Sequence, residues 1–441
     1  MLFRDITVID ENFEVRNHCY VGVRGDKIAY LSDELPKEDF GEVYGGRDKV
    51  LLPGFVNAHC HVAMTLLRGY AEGLPLDRWL HEKVFPFEAQ IQSEHFYYGA
   101  MLGIAEMLAC GVTSFSEMYF SCEEIARAVA ESGIKCNLAV GVTSPVPPVP
   151  FEDNLLVRHM FSLFKRWDGA KNGRIKIDTC LHAEYTTDEE TVRGMARLAK
   201  EKGSITHVHL SETREEHEGC KARRGGRTPA RYFADCGLLE SRAHFAHGVY
   251  LEEGDRELLR AAGASVAHCP ASNLKLGSGV TDVPALLKSG VNVAIGTDGA
   301  ASNNNLDMLS EMRLCSLLGK GIAGDPCLLP PREVLYMATR AGALSQGRED
   351  CGLIKEGFRA DLTVLDLHRP HIQPVHDVLG AVVFGAKASD VVLTMCDGRV
   401  LYKDGVYLTL GEESIMAGAD RSAKEILNRI GPVRQIESIS E

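Results

Sequence analysis

From about residue 50 to 345, short apolar runs alternate with longer stretches whose apolar positions recur every three to four residues. Eight runs read as strands: residues 50–58, 112–118, 135–142, 174–181, 204–210, 244–246, 263–268 and 291–296. Between them, stretches such as 97–109, 123–131, 189–202 and 255–262 carry the helical period. Strand followed by helix, eight times over, predicts an α/β fold of the (β/α)8 TIM-barrel type with a parallel sheet.

The ends of the chain have another texture. Residues 3–8, 15–23 and 27–32 are apolar-rich strands, with Arg24-Gly25-Asp26 as a hairpin turn. The same texture returns at 360–366, 391–395 and 400–402, with Cys396-Asp397-Gly398-Arg399 as a turn. Residues 1–50 and 350–410 are therefore expected to pair into one discontinuous β-sandwich domain. That leaves 51–349 for the barrel and 411–441 for a C-terminal helical tail, helical over 419–428 with a polar end.

Composition narrows the class. The 441 residues suffice for one large and one smaller domain. Hydrophobic content of 45% and charged content of 25% are ordinary for a soluble globular protein. A net charge of −13 without a long Lys/Arg run argues against a nucleic-acid surface. No apolar run approaches the ~18–20 residues of a membrane span. Thirteen cysteines, an odd number without a CxxC pair, and no signal-peptide pattern at the start predict reduced thiols in a cytoplasmic protein.

Chemistry gathers at the predicted C-terminal strand ends, where barrels of this type place it. The first strand ends in His59-Cys60-His61, and residues two apart on a strand point the same way, so both imidazoles can chelate one ion. The fourth strand ends at His182, the fifth at His209, the sixth at His247, the seventh at His268, and the eighth in Thr297-Asp298-Gly299. His59, His61, His209 and Asp298 supply three imidazoles and a carboxylate, a ligand set that leaves a position for water. A divalent ion there lowers the pKa of that water toward ~7. Asp298 can also accept the water's proton. Glu212, three residues beyond His209, can carry a proton to a substrate ring nitrogen. His247 can stabilise the tetrahedral intermediate. His207 reads as a buried supporting or core histidine, and His268 as a residue that orients a ligand or acts in catalysis. A second metal needs a bridging acid at the fourth strand end. His182 stands there and Lys176 lies deeper, so one metal is expected. His182-Ala183-Glu184 mimics the His-x-Glu of cysteine-ligated nucleobase deaminases, but their Pro-Cys-x-x-Cys partner is missing.

Pro53-Gly54-Phe55-Val56-Asn57-Ala58-His59-Cys60-His61, the segment from Met64 to Tyr70, His268-Cys269-Pro270-Ala271-Ser272-Asn273 and Gly296-Thr297-Asp298-Gly299 together resemble the amidohydrolase superfamily. The chain looks closest to its methylthioadenosine/S-adenosylhomocysteine deaminase branch, beside the triazine chlorohydrolases, over nearly its whole length. The resemblance implies one zinc or iron ion on His59, His61, His209 and Asp298. It implies hydrolytic deamination of an adenine nucleoside run by Glu212, His247 and Asp298. It implies ribose contact by Glu88, a pocket wall from Trp79, base contact by His182, Ser302 close by, and a homo-oligomer. One departure bears on the substrate. Branch members that accept S-adenosylhomocysteine tend to carry arginines after the third strand, whereas residues 143–154 hold none, and Arg158 is the nearest. Neutral nucleosides (5′-methylthioadenosine, 5′-deoxyadenosine, adenosine) are favoured, with another amino- or chloro-substituted ring, guanine- or triazine-like, as the alternative.

Overall fold

In the computed structural model residues 1–430 are described, so the polar end expected after the tail helix lies outside the described residues. Eight parallel strands run in sequential order: β1 (Phe55–Cys60), β2 (Val112–Tyr119), β3 (Lys135–Val140), β4 (Ile175–Cys180), β5 (Thr206–Leu210), β6 (Ala243–His247), β7 (Ser265–His268) and β8 (Asn292–Ile295). The pairing register sets Leu210 opposite His247 and His268 opposite Ile295, so the functional ends finish level. The ring closes where Asp298 N donates to His59 O at 3.0 Å. Gly296 permits that approach, because a Cβ there would lie 2.8 Å from His59 N.

The terminal segments build one nine-stranded sheet. Its order is Val406–Tyr407, Arg399–Lys403, Val391–Cys396, Leu362–Asp366, Lys49–Pro53, Leu2–Ile9, Val15–Arg24 and Lys27–Ser32, with Val43–Gly45 also paired to Leu2–Ile9. Lys49–Pro53 joins the two halves, parallel to Leu2–Ile9 and antiparallel to Leu362–Asp366. The apolar run at 50–58, read as one strand, is thus two strands in two sheets. The break falls at Gly54, whose N donates to Asp361 O at 2.9 Å. A Cβ at Gly54 would lie 2.3 Å from the Thr113 side chain.

A buried ion group pins the terminal sheet to the barrel. Lys135, the first residue of β3, holds Asp361 just before Leu362–Asp366 and meets Asp397 Oδ1 at 2.6 Å. Burial alone would raise the Asp361 pKa, but Lys135 outweighs it and holds the carboxyl below its usual value. The final helix is longer than the sequence suggested, Glu412–Ile430. It buries Ile415, Ala419 and Ile426 and is tied to the helix Ser93–Ala109 by Glu425 Oε2 on His95 Nε2 at 3.2 Å. Among the described residues no helix is long and apolar enough to cross a membrane. All thirteen cysteines are free thiols and only Cys327 is exposed.

Candidate metal centre and active-site cavity

Three strand ends turn through backbone conformations that side-chain-bearing residues seldom adopt. Ser211 has φ 49°, His247 φ 71° and Asp298 φ 59°. Each such residue costs on the order of 1–3 kcal/mol, and they cluster at functional sites. Here the surroundings hold the turn after β5: Glu216 accepts from Ser211 N at 2.9 Å and from Glu212 N at 2.8 Å.

The side chains so aimed converge. Asp298 Oδ1 lies 3.4 Å from His59 Nε2 and 3.2 Å from His61 Nε2, and His61 Nε2 lies 3.3 Å from His209 Nε2. The donor atoms of His59, His61 and Asp298 all lie within 4.8 Å of one another, as do those of His59, His209 and His247. His59 Nε2 is fully buried and has no hydrogen-bond partner. A buried nitrogen without a partner, facing a carboxylate and two more imidazoles, is the donor set of a metal site. Burial holds the His59 ring down to about 3, and burial plus its imidazole neighbours hold His209 well below the usual histidine range. Both rings therefore keep a lone pair at neutral pH. Burial would raise Asp298, but His59, His61 and His247 outweigh it and keep the carboxyl ionised. Asp298 Oδ2 accepts from Ser272 Oγ at 2.6 Å and from Ser302 Oγ at 2.9 Å, which leaves Oδ1 for the imidazole cluster.

Glu212 and His247 stand together beside this cluster. Glu212 Oε2 lies 3.7 Å from His247 Nε2, and Glu212 Oε1 accepts from Ser278 Oγ at 3.2 Å. Burial pushes the Glu212 pKa up, with His247 pulling it part of the way back. His247 Nδ1 donates to Asn273 Oδ1 at 2.9 Å, so Nε2 is the nitrogen turned to the cavity.

The cavity has a volume of about 430 Å³. His61, His209, His247, Glu212, Asp298, His182 and Ser302 line its inner part, and Glu88 and Trp79 reach it from the segment before Ser93–Ala109. His59 lies beneath, fully buried. Trp79 is nearly buried and its Nε1 donates to Ala71 O at 3.1 Å. Glu88 Oε1 accepts from Tyr119 Oη at 2.6 Å, and burial pushes its carboxyl up to about 7. His182 Nδ1 lies 3.2 Å from Thr186 Oγ1. His207 and His268 are buried, and neither lines the cavity.

Sequence reasoning gave no role to Tyr119, Ser272, Asn273, Ser278 or Glu216. Tyr119 ends β2, so asking what each strand end offers would have found it. Ser272 and Asn273 sit inside a quoted motif. Ser278 and Glu216 act through contacts that no sequence spacing announces.

The chain belongs to the amidohydrolase family, whose model matches residues 50–401. Among curated relatives, the 5-methylthioadenosine/S-adenosylhomocysteine deaminase of Pelotomaculum thermopropionicum is 44% identical over 88% of this chain and 89% of its own. The 5′-deoxyadenosine deaminase of Methanothermobacter thermautotrophicus is 40% identical over 92% of this chain and 94% of its own. Among solved structures, an adenosine deaminase from Xanthomonas campestris with bound zinc superposes with a TM-score of 0.90 at 31% identity, covering 96% of this chain and 98% of the other.

Proposed function

We propose that the chain is a metal-dependent hydrolytic deaminase of adenine nucleosides that releases ammonia and the inosine analogue. The observation that carries this is the pairing of a His59/His61/His209/Asp298 donor cluster with Glu212 and His247 on one cavity. The deaminase names of near-full-length relatives support the same reaction. One divalent ion, zinc, fits three imidazoles and a carboxylate, and His182 at the fourth strand end supplies no bridging acid for a second. Lys176 supports a single site too, since its Nζ donates to Gly347 O at 2.7 Å. Held by His59, His61, His209 and Asp298, a divalent ion would lower the pKa of a water and so supply the attacking hydroxide.

The residues then divide the proton work. Asp298 takes the proton of the attacking water. Glu212, raised by burial, is protonated more readily than an exposed carboxyl and delivers its proton to the purine ring nitrogen. His247 stays close to the oxygen on which charge develops and stabilises it. Ser272 and Ser302 hold Asp298 in one orientation. At the other end Glu88 accepts the ribose hydroxyls, Trp79 forms a wall and His182 meets the base.

The cavity favours a neutral 5′ substituent. Leu76, Leu80, Val84, Phe85, Phe120 and Leu156 supply apolar walls, and no Lys or Arg lines it among the described residues. Arg158 is engaged elsewhere, its Nε donating to Glu152 O at 3.0 Å and its guanidinium pairing with Asp153. Away from the metal site, a substrate carboxylate would find Glu88 and no Lys or Arg side chain among the described lining residues. We further propose a homo-oligomer in the cytoplasm, the location being supported by thirteen unpaired thiols.

An ultraviolet deamination assay, with metal analysis on the same preparation, tests the proposal. Turnover of 5′-methylthioadenosine, 5′-deoxyadenosine or adenosine with about one metal per chain is expected, with S-adenosylhomocysteine turned over more slowly. Metal-loaded protein that deaminates none of them would move the substrate to another amino- or chloro-substituted ring.

A further inference from the structure

The three imidazoles of the donor cluster differ in what holds the far ring nitrogen. His61 Nδ1 meets the backbone carbonyl of Met118, and His209 Nδ1 meets that of His182 at 2.7 Å. His59 Nδ1 meets a side chain, His207 Nε2, at 3.0 Å. We infer that His207 is the positioning residue for His59: its Nε2 lone pair takes the His59 Nδ1 proton, fixing which nitrogen of His59 faces the metal and how its ring is turned. The inference rests on the metal site proposed above and concerns a residue that touches neither the cavity nor the substrate.

The tautomers follow in order. A neutral imidazole that gives its Nε2 lone pair to a metal carries its proton on Nδ1, and that proton needs an acceptor. A backbone carbonyl always accepts. An imidazole accepts only at a nitrogen without a proton, so His207 Nε2 is bare and neutral His207 is the Nδ1–H tautomer. Next to it stands His244, with ring centroids 4.8 Å apart. His244 Nε2 lies 2.6 Å from Ala58 O, and a carbonyl only accepts, so His244 is the Nε2–H tautomer with a bare Nδ1. His207 Nδ1 and His244 Nδ1 are both fully buried without a hydrogen-bond partner. One is then a donor without an acceptor and the other an acceptor without a donor, on adjacent rings. The tautomers are set by the contacts to His59 Nδ1 and to Ala58 O, and the two Nδ1 atoms have no hydrogen-bond partner of their own. Were His207 only packing, a hydrocarbon of its size would serve, and the buried nitrogens would be a cost without a return.

The test is zinc retention by the full-length zinc-loaded protein against a competing chelator, for His207→Leu and His207→Gln, with thermal melting of each. Leucine fills the space without an acceptor, while glutamine can set Oε1 near the place of Nε2. His207→Leu is expected to lose about 10–100-fold in zinc affinity, and His207→Gln to stay within about threefold of the parent. Equal retention by His207→Leu, or a loss in His207→Gln as large as in His207→Leu, overturns the inference. Should His207→Leu fail to fold, the nitrogen resonances of ¹⁵N-histidine-labelled, unsubstituted, zinc-loaded protein decide it. A His207 protonated at Nδ1 supports the inference and one protonated at Nε2 overturns it. A parent protein that takes up no zinc overturns the metal site itself and this inference with it, whereas a zinc-binding parent matched by His207→Leu overturns the inference alone.

Discussion

Replacing Lys135 with methionine isolates what holds the terminal sheet to the barrel. Lys135, Asp361 and Asp397 are 3%, 4% and 7% exposed, so removing the ammonium leaves two carboxylates facing each other out of water. Arg359 Nη1, 3.5 Å from Asp397 Oδ1, compensates part of the loss for one of them. Removing one partner from a buried ion group costs about 3–5 kcal/mol. With a guanidinium slope of roughly 4 kcal/mol per molar, the unfolding midpoint should fall by about 1 M. The pH dependence has a definite sign. In the parent the folded Asp361 pKa is depressed, so its contribution is present above the usual carboxylate range and is lost as pH falls through the depressed value. In the variant the same carboxyl is buried without its cation and its pKa is raised, so the variant loses stability as pH rises from the carboxylate range. The gap between the two proteins is therefore largest at neutral pH and narrows toward acid. Fluorescence-monitored denaturation at pH 7.5 and pH 4.5 measures both points. Lys135 begins β3, whose other end approaches the cavity, so kcat and KM of the folded variant should stay near the parent values. A midpoint within about 0.2 M of the parent, or a gap that widens in acid, refutes the reasoning.

Four further outcomes follow from the cavity. Glu212→Gln should retain its metal and lose about 10²–10⁴-fold in kcat, measured as deamination rate beside metal content on one sample, because amide and carboxyl occupy the same space but only the carboxyl delivers a proton. His61→Ala should lose both metal and turnover on the same pair of measurements. Glu88, pushed up to about 7, accepts hydroxyls best when ionised, so KM for a nucleoside should rise as pH falls below about 7 and the Glu88→Gln profile should be flat there. Tyr119→Phe removes the donor that favours the ionised form, so the same KM inflection should move to higher pH.

The site was legible because its chemistry is carried by residue types that are scarce at strand ends. His59-Cys60-His61 announces two imidazoles on one face, and His209, His247 and Asp298 each follow an apolar run. Nine of the ten expected site residues line the cavity, and the tenth, His59, is fully buried against His61, His209 and Asp298. What was not legible depends on partners distant in sequence. The division at Gly54 is hidden because Lys49–Pro53 and Phe55–Cys60 are both buried on both faces, and an apolar run carries no sign of a change of sheet. The partner of Glu88 sits 31 residues away on β2, and that of Glu212 sits 66 residues away at Ser278. The start of the last helix was missed because Glu412 and Glu413 open it with polar residues, and its apolar face acquires meaning only against Ser93–Ala109.

The placement of Lys49–Pro53 also sets a timetable for synthesis. Its partner on one side, Leu2–Ile9, leaves the ribosome almost with it, while Leu362–Asp366 on the other side follows about three hundred residues later. Domains generally form in the order they are translated. All eight barrel strands are therefore available while one edge of Lys49–Pro53 still shows unpaired backbone, and an open edge is a template for another nascent chain. The barrel strands can pair without waiting for the last strands, although Lys135 at the start of β3 meets Asp361 and Asp397 only once those have emerged, and the N-terminal half of the small sheet stays open on one side until then. An open strand edge is thus on display from the time Lys49–Pro53 is made, through the making of all eight barrel strands, until Leu362–Asp366 has emerged.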